Sequence, residues 1–285
     1  MRHLPRCVPV LLTVALILAG AGCAELRRTL GIDTPSAKVV GMNLKDIGVE
    51  AATMVFDVEV TNPLAAPLPL ANLDYALASG GQGFLSGKAP LEGTVPAGSA
   101  RTLQLPVEIR YSDLVKALGG VRPGTVVPYE AEVGLSVEPP VGGPLRLPLK
   151  KEGQVPVPAP PTVEVQEVTW SDLSLEKAAG RVRLAVTNPN QFPVDLSTLA
   201  YRLSLGGVEV ADTSIARPVH FAADGGAATI ELPLSLSPKQ LGLAAWQVLT
   251  GKGAGYDLKG TMDLATPYGP MALPVKRIGE TVFKK

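Results

Sequence analysis

The stretch that decides the fold is Phe56-Asp57-Val58-Glu59-Val60-Thr61-Asn62-Pro63. Phe56, Val58 and Val60 alternate with Asp57, Glu59 and Thr61, so one face is apolar and the other polar. A period of two is that of a strand with one side in a core and one in water. Pro63 cannot donate to a sheet ladder and biases the residue before it toward extended geometry, so the strand ends at Asn62. The same stretch returns 126 positions later as Val182-Arg183-Leu184-Ala185-Val186-Thr187-Asn188-Pro189-Asn190.

The repeat extends outward in both directions. Asp46 and Ile47 match Asp172 and Leu173, and Pro67, Leu73, Tyr75 and Leu77 match Pro193, Leu199, Tyr201 and Leu203. Gly80-Gly81 matches Gly206-Gly207. The offset slips by one residue between 82 and 102, where Leu105 and Pro106 match Leu232 and Pro233, and is restored by Leu147-Pro148 and Leu273-Pro274. Single-residue slips of this kind belong in loops, because inside a strand they would turn the apolar face outward. Two units of more than 100 residues are two domains rather than a solenoid.

Each unit reads as a β-sandwich. Tyr129, Ala131, Val133, Leu135 and Val137 form one apolar face, and Tyr256, Leu258, Met262 and Leu264 form its counterpart. Leu103, Leu105, Val107 and Ile109 form another, with Pro106 on the outer side, which predicts an edge or bulged strand. The paired glycines predict hairpin turns. One short helix is predicted per unit. The first follows Ser112-Asp113 and stops at Gly119-Gly120; the second follows Ser237-Pro238 and stops at Gly251. The boundaries are 37–153 for the first sandwich, 154–161 for a linker, 162–279 for the second sandwich and 280–285 for a tail. The linker holds Val155-Pro156-Val157-Pro158-Ala159-Pro160-Pro161, which favours a semi-rigid polyproline spacer.

Residues 1–22 have the pattern of an export signal: Arg2 and Arg6, then an apolar run from Val8 to Leu18 that is short for a membrane span. Leu18-Ala19-Gly20-Ala21-Gly22-Cys23 resembles the lipobox of bacterial lipoproteins, with Gly20 where Leu is usual. The resemblance implies cleavage between Gly22 and Cys23 and acylation of Cys23, the chain's membrane partner, with 23–36 as a lipidated tether. Two or more acyl chains anchor stably where one binds marginally. The alternative is an ordinary secretory signal with an incidental Cys. Ala24 in place of Asp favours an outer-membrane anchor facing the periplasm under the lipoprotein sorting rule. Without the signal, Cys23 is the only cysteine, so no disulfide forms and the cores must hold the fold. The remaining 24 basic and 26 acidic residues are nearly balanced with no basic tract, which argues against nucleic acid.

Chemistry-bearing constellations are sparse. Apart from His3 in the signal, His220 is the only histidine, and no ligand cluster for a metal is legible. We expect no catalytic residue and no cofactor. A triad would have to use His220. Leu243, Trp246 and Leu249 share the apolar face of the second helix; core packing is the plain reading, and a candidate apolar groove for an acyl chain or protein partner is the sharper one.

With repeat and turn in hand, the chain resembles the LEA type 2 (water stress and hypersensitive response) family. The carrying residues are the strand closed by Asn62-Pro63, its copy closed by Asn188-Pro189-Asn190, and the following Pro67 or Pro193 with Leu-x-Tyr-x-Leu. The resemblance implies tandem immunoglobulin- or fibronectin-III-like β-sandwiches and a role in desiccation or other stress, without enzymatic activity. Together with the lipobox and the sparse chemistry, it leads us to expect a protective lipoprotein or interaction scaffold; the alternative is a module that binds or transfers lipid or another apolar ligand. Residue by residue, the Asn-Pro motif reads as structural, the Asn side chain satisfying backbone groups in the turn.

Overall fold

Alternation becomes pairing in a computed structural model that describes residues 34–284. The first unit contains β1 (Ser36–Lys45), β2 (Ala51–Asn62), β3 (Leu68–Ser79), β4 (Gln82–Pro90), β5 (Thr94–Val95), β6 (Ser99–Arg110), α1 (Tyr111–Leu118), β7 (Val126–Val137) and β8 (Leu145–Pro156). The second contains β9 (Thr162–Leu173), β10 (Ala178–Asn188), β11 (Val194–Leu205), β12 (Val208–Ile215), β13 (Val219–Phe221), β14 (Gly226–Leu236), α2 (Pro238–Leu241), α3 (Leu243–Thr250), β15 (Gly253–Thr266) and β16 (Gly269–Lys284).

Each unit is a sandwich of the same two sheets. In the first, β1-β2-β6 faces β4-β3-β7-β8, with β5 beside β3. In the second, β9-β10-β14 faces β12-β11-β15-β16, with β13 beside β11. Neighbours within these sheets are antiparallel. Pro106 and Pro233 lie on β6 and β14, the edges of their sheets, where a missing donor does no harm. Gly80-Gly81 and Gly206-Gly207 have the same backbone, with φ of +55° and +80° in both pairs, as a two-residue hairpin with positive φ at both positions requires.

The buried faces are those that the alternation marks. Met54, Phe56, Val58 and Val60 of β2 and Val182, Leu184 and Val186 of β10 are buried, as are Leu77, Leu135, Leu203 and Leu258 from the opposing sheets. Truncating a buried Phe costs about 3–5 kcal/mol, so Phe56 alone carries a sizeable part of one unit's stability.

The helices differ from the sequence expectation at their starts. α1 begins at Tyr111, not after Ser112, and its N-cap Arg110 makes no side-chain cap bond. Tyr111 and Leu114 are buried, so packing rather than capping positions this helix. The single helix expected in the second unit is two. Gly242, at φ +89°, ends α2 after Leu241 and serves as the N-cap of α3.

In the 280–285 segment, expected as a tail, β16 runs on to Lys284. Val282, Phe283 and Lys284 pair in parallel with Glu167, Val168 and Thr169 of β9 and join the second unit's sheets along one edge. The Lys284 ammonium contacts the Glu167 carboxylate, and Phe283 packs edge-on against Trp170 with centroids 5.9 Å apart. The polyproline linker is also more than a spacer: Val155, Pro156, Val157, Pro158 and Ala159 are all buried.

Candidate functional site

The Asn-Pro turns hold three of the four buried polar side chains among the described residues, Asn62, Asn188 and Asn190. Asn62, at the end of β2, is fully buried. Its amide nitrogen donates toward the carbonyls of Ala66, Val95 and Pro96 at 2.9–3.0 Å, and its Oδ1 accepts from the Leu64 N–H at 3.1 Å. One side chain thus closes the β2–β3 loop and ties it to the end of β5 and the residue after it. Asn188 does the same at the end of β10, donating to Phe192 O and Ala222 O, both at 2.9 Å. Its Oδ1 accepts from both the backbone N–H and the side-chain amide of Asn190, at 3.1 and 2.7 Å. Pro63 and Pro189 follow as strand terminators, so the motif is a structural turn, and the buried carbonyls explain why an amide is needed.

Asn190 has a job that its counterpart Leu64 lacks. Its Oδ1 accepts from the Ala159 N–H at 2.8 Å while its Nδ2 donates to the Ala159 carbonyl at 3.1 Å. This two-bond clamp holds the linker. The next residue, Gln191, accepts from the Val126 N–H through Oε1 at 3.1 Å, and its own N–H donates to Gly124 O at 2.8 Å. The Gly124 N–H donates to Val157 O at 2.6 Å, and Val157 N–H to Thr125 O at 2.8 Å. Gly124 adopts φ +93°, and a Cβ there would lie 2.8 Å from the Pro189 carbonyl. Beside this seam Ile47 bridges to Met271, and the Tyr268 hydroxyl bonds Gln154 Oε1 at 3.2 Å. The Asn-Pro end of the second sandwich is therefore seated on the opposite end of the first.

Among the described residues nothing covers the corresponding end of the first sandwich, which holds a groove of about 520 Å³. Pro35, Leu64, Ala66, Val141 and Leu145 line it, and no ionisable side chain does. The cause is visible in the repeat. Phe192 and Tyr268 pack edge-on at 5.4 Å in the second unit, whereas Ala66 and the hairpin tip Val141-Gly142-Gly143 stand at those places in the first. Sequence reasoning missed this groove, although the loss of two aromatic rings between the copies was there to be compared.

The other candidate residues are not brought together into a site. Leu249 is wholly buried, Trp246 is half-buried and Leu243 is 75% exposed, so these three residues of α3 divide between core and solvent. Gly22 and Cys23 lie outside the described residues. His220 Nδ1 sits 2.7 Å from Asp195 Oδ1, and both side chains are exposed on the sheet surface. Such a couple orients a ring but sits in water rather than in a desolvated cleft. Burial pushes the phenol of Tyr111 up and that of Tyr129 up to about 12, so both are neutral near pH 7. The Arg146 guanidinium, bonded through two nitrogens to Asp74, holds that carboxyl below the usual range. Among the described residues no three His, Cys, Asp or Glu side chains cluster as a metal site would need, and no helix is long and apolar enough to cross a membrane.

The LEA_2 family model, described as late embryogenesis abundant protein, matches residues 57–153 and 183–279, once per sandwich. The chain belongs to this family. Late embryogenesis abundant protein Lea14-A of Gossypium hirsutum is 29% identical over 131 residues, 46% of this chain and 87% of the relative. The probable desiccation-related protein LEA14 of Arabidopsis thaliana is 28% identical over 127 residues, 45% and 84% of the two chains. The solution structure of AT1g01470 from Arabidopsis thaliana is 28% identical, covers 45% of this chain and 84% of its own, and gives a TM-score of 0.37. This LEA type 2 chain carries the family's sandwich in tandem, and the family is one of desiccation-related, stress-protective proteins.

Proposed function

We propose that this protein is a non-enzymatic lipoprotein of the bacterial outer membrane that faces the periplasm and protects the envelope under desiccation or related stress. In this reading Cys23 carries the acyl anchor and the two seated sandwiches form a stiff scaffold for interaction. The observation that carries it is the run Leu18-Ala19-Gly20-Ala21-Gly22-Cys23 placed just upstream of two stress-family domains. The buried seam supports the scaffold part, because a linker held by two side-chain bonds resists bending. An apolar ligand between the sheets is less well supported, since Phe56, Leu77, Leu184 and Leu203 fill both interiors.

The test is a Cys23→Ser variant expressed beside wild type. Wild type is expected in the membrane fraction with an acyl mass on its N-terminal peptide, and the variant in the soluble periplasmic fraction. Equal fractionation of the two would remove the anchor from the proposal. Survival of a deletion strain through drying and osmotic shock at the wild-type level would remove the stress role.

A further inference from the structure

We propose that the uncovered Asn62 end of the first sandwich is a membrane-contact surface, seated on the lipid bilayer through the hairpin tip around Val141. The inference rests on the anchored reading of Cys23 and adds to it an orientation and a contact.

Three observations converge on that end. The first is its chemistry. Val141 is 87% exposed at the tip of the β7–β8 hairpin, between Pro140 and Gly142-Gly143-Pro144, and the groove beneath it has no ionisable lining. An exposed apolar tip over an uncharged groove is suited to the boundary between headgroups and acyl chains.

The second is the comparison within the chain. The same end of the second sandwich is covered by protein, and it uses Asn190, Gln191 and Tyr268 to bond its cover. The first sandwich has Leu64 and Ala65 where the second has Asn190 and Gln191, and its hairpin tip lacks the tyrosine. The groups that would hold another sandwich by hydrogen bonds are thus replaced by apolar ones. A bilayer surface satisfies that replacement; a second copy of this chain, which would need the polar clamp, does not.

The third is where the chain enters. Thr34 and Pro35 line the groove and Pro35 is buried, so the tether meets the fold at this end. Residues 24–33 span at most about 35 Å when fully extended, which keeps an acylated Cys23 and this end within one short reach of each other. The end carrying α2, α3 and Leu243 lies at the far side of the second sandwich, away from the anchor.

Mature acylated protein carrying Val141→Cys is labelled with an environment-sensitive fluorophore and reconstituted into vesicles of phosphatidylethanolamine and phosphatidylglycerol. Cys23 is the only other cysteine and is blocked by acylation. A Leu243→Cys protein serves as the reference. The expected result is a blue-shifted emission and several-fold weaker aqueous quenching at position 141, with position 243 unchanged. Acylated, vesicle-bound protein that is quenched equally at 141 and 243 would overturn the contact while leaving the anchor intact. Protein that carries no acyl group and fails to bind vesicles would overturn both. Shielding of position 141 that grows with protein concentration in a Cys23→Ser chain without vesicles would assign the surface to a second copy instead and overturn the membrane contact.

Discussion

Asn62 and Asn188 end equivalent strands and make nearly the same bonds to their own loops, yet only Asn188 stands beside a domain joint. Around Asn62 the loop is satisfied from within, by Leu64, Ala66, Val95 and Pro96. Around Asn188 the network continues through Asn190 into the linker at Ala159 and through Gln191 into Gly124 and Val126. Two extra amides, at positions 190 and 191, change a loop lock into a seam between domains. The comparison teaches that a duplicated motif can keep its structural duty in both copies while a flanking residue takes on a second one.

The largest effect is expected from removing the lock itself. Asn188→Ala strands buried carbonyls and the amide of Asn190, and should cost about 3 kcal/mol, against about 2 kcal/mol for Asn62→Ala. Calorimetric unfolding of both variants measures the difference, and equal losses would break the distinction between the turns. Next comes Asn190→Leu, which gives the second copy the first copy's residue. It leaves the buried Ala159 N–H unpaired and should cost about 1–3 kcal/mol, with a broader interdomain distribution in small-angle scattering. The reciprocal Leu64→Asn should leave that distribution unchanged.

Gly124→Ala probes the seam from the other side. At φ +93° an L side chain is strained, and its Cβ would press on Pro189 O, so a loss of about 1–2 kcal/mol is expected together with slackening of the joint. An Ala variant whose stability and scattering match wild type would show that the seam is not close-packed there. The smallest effect belongs to pH at the β16–β9 edge, which the first copy lacks. The Lys284 ammonium, with Arg183 at 2.9 Å, holds the Glu167 carboxyl below its usual range. A lowered folded value means that the stabilisation is present above the ordinary carboxylate range and is lost as pH falls through the folded value. Glu167→Gln should therefore flatten the acid limb of the stability profile slightly, and an unchanged acid limb would dissociate the ion pair from the closing of that edge.

Most of the fold was legible because its cause is local. The alternation in β2, the proline after Asn62 and the double glycine at positive φ each bias backbone within a few residues, and duplication repeated the bias. The split at Gly242 and the start of α1 at Tyr111 were less legible: each depends on which residues the sheets bury, and Ser112 was a plausible cap only until Tyr111 was drawn into the core. How the apolar residues of α3 divide was hidden for the same reason, since Leu249 is claimed by the core while Leu243 is left outside.

The sequence by itself determined that two sandwiches exist and that each carries an Asn-Pro turn whose amide is able to satisfy nearby backbone groups, because strand periodicity and turn chemistry act at short range. Only the tertiary structure decided that Asn190 grips Ala159, that Lys284 closes an edge with Glu167, and that among the described residues one Asn-Pro end is covered by the other sandwich and the other is not. Those outcomes join residues far apart in the chain, and no local propensity encodes which surface will come to rest against which.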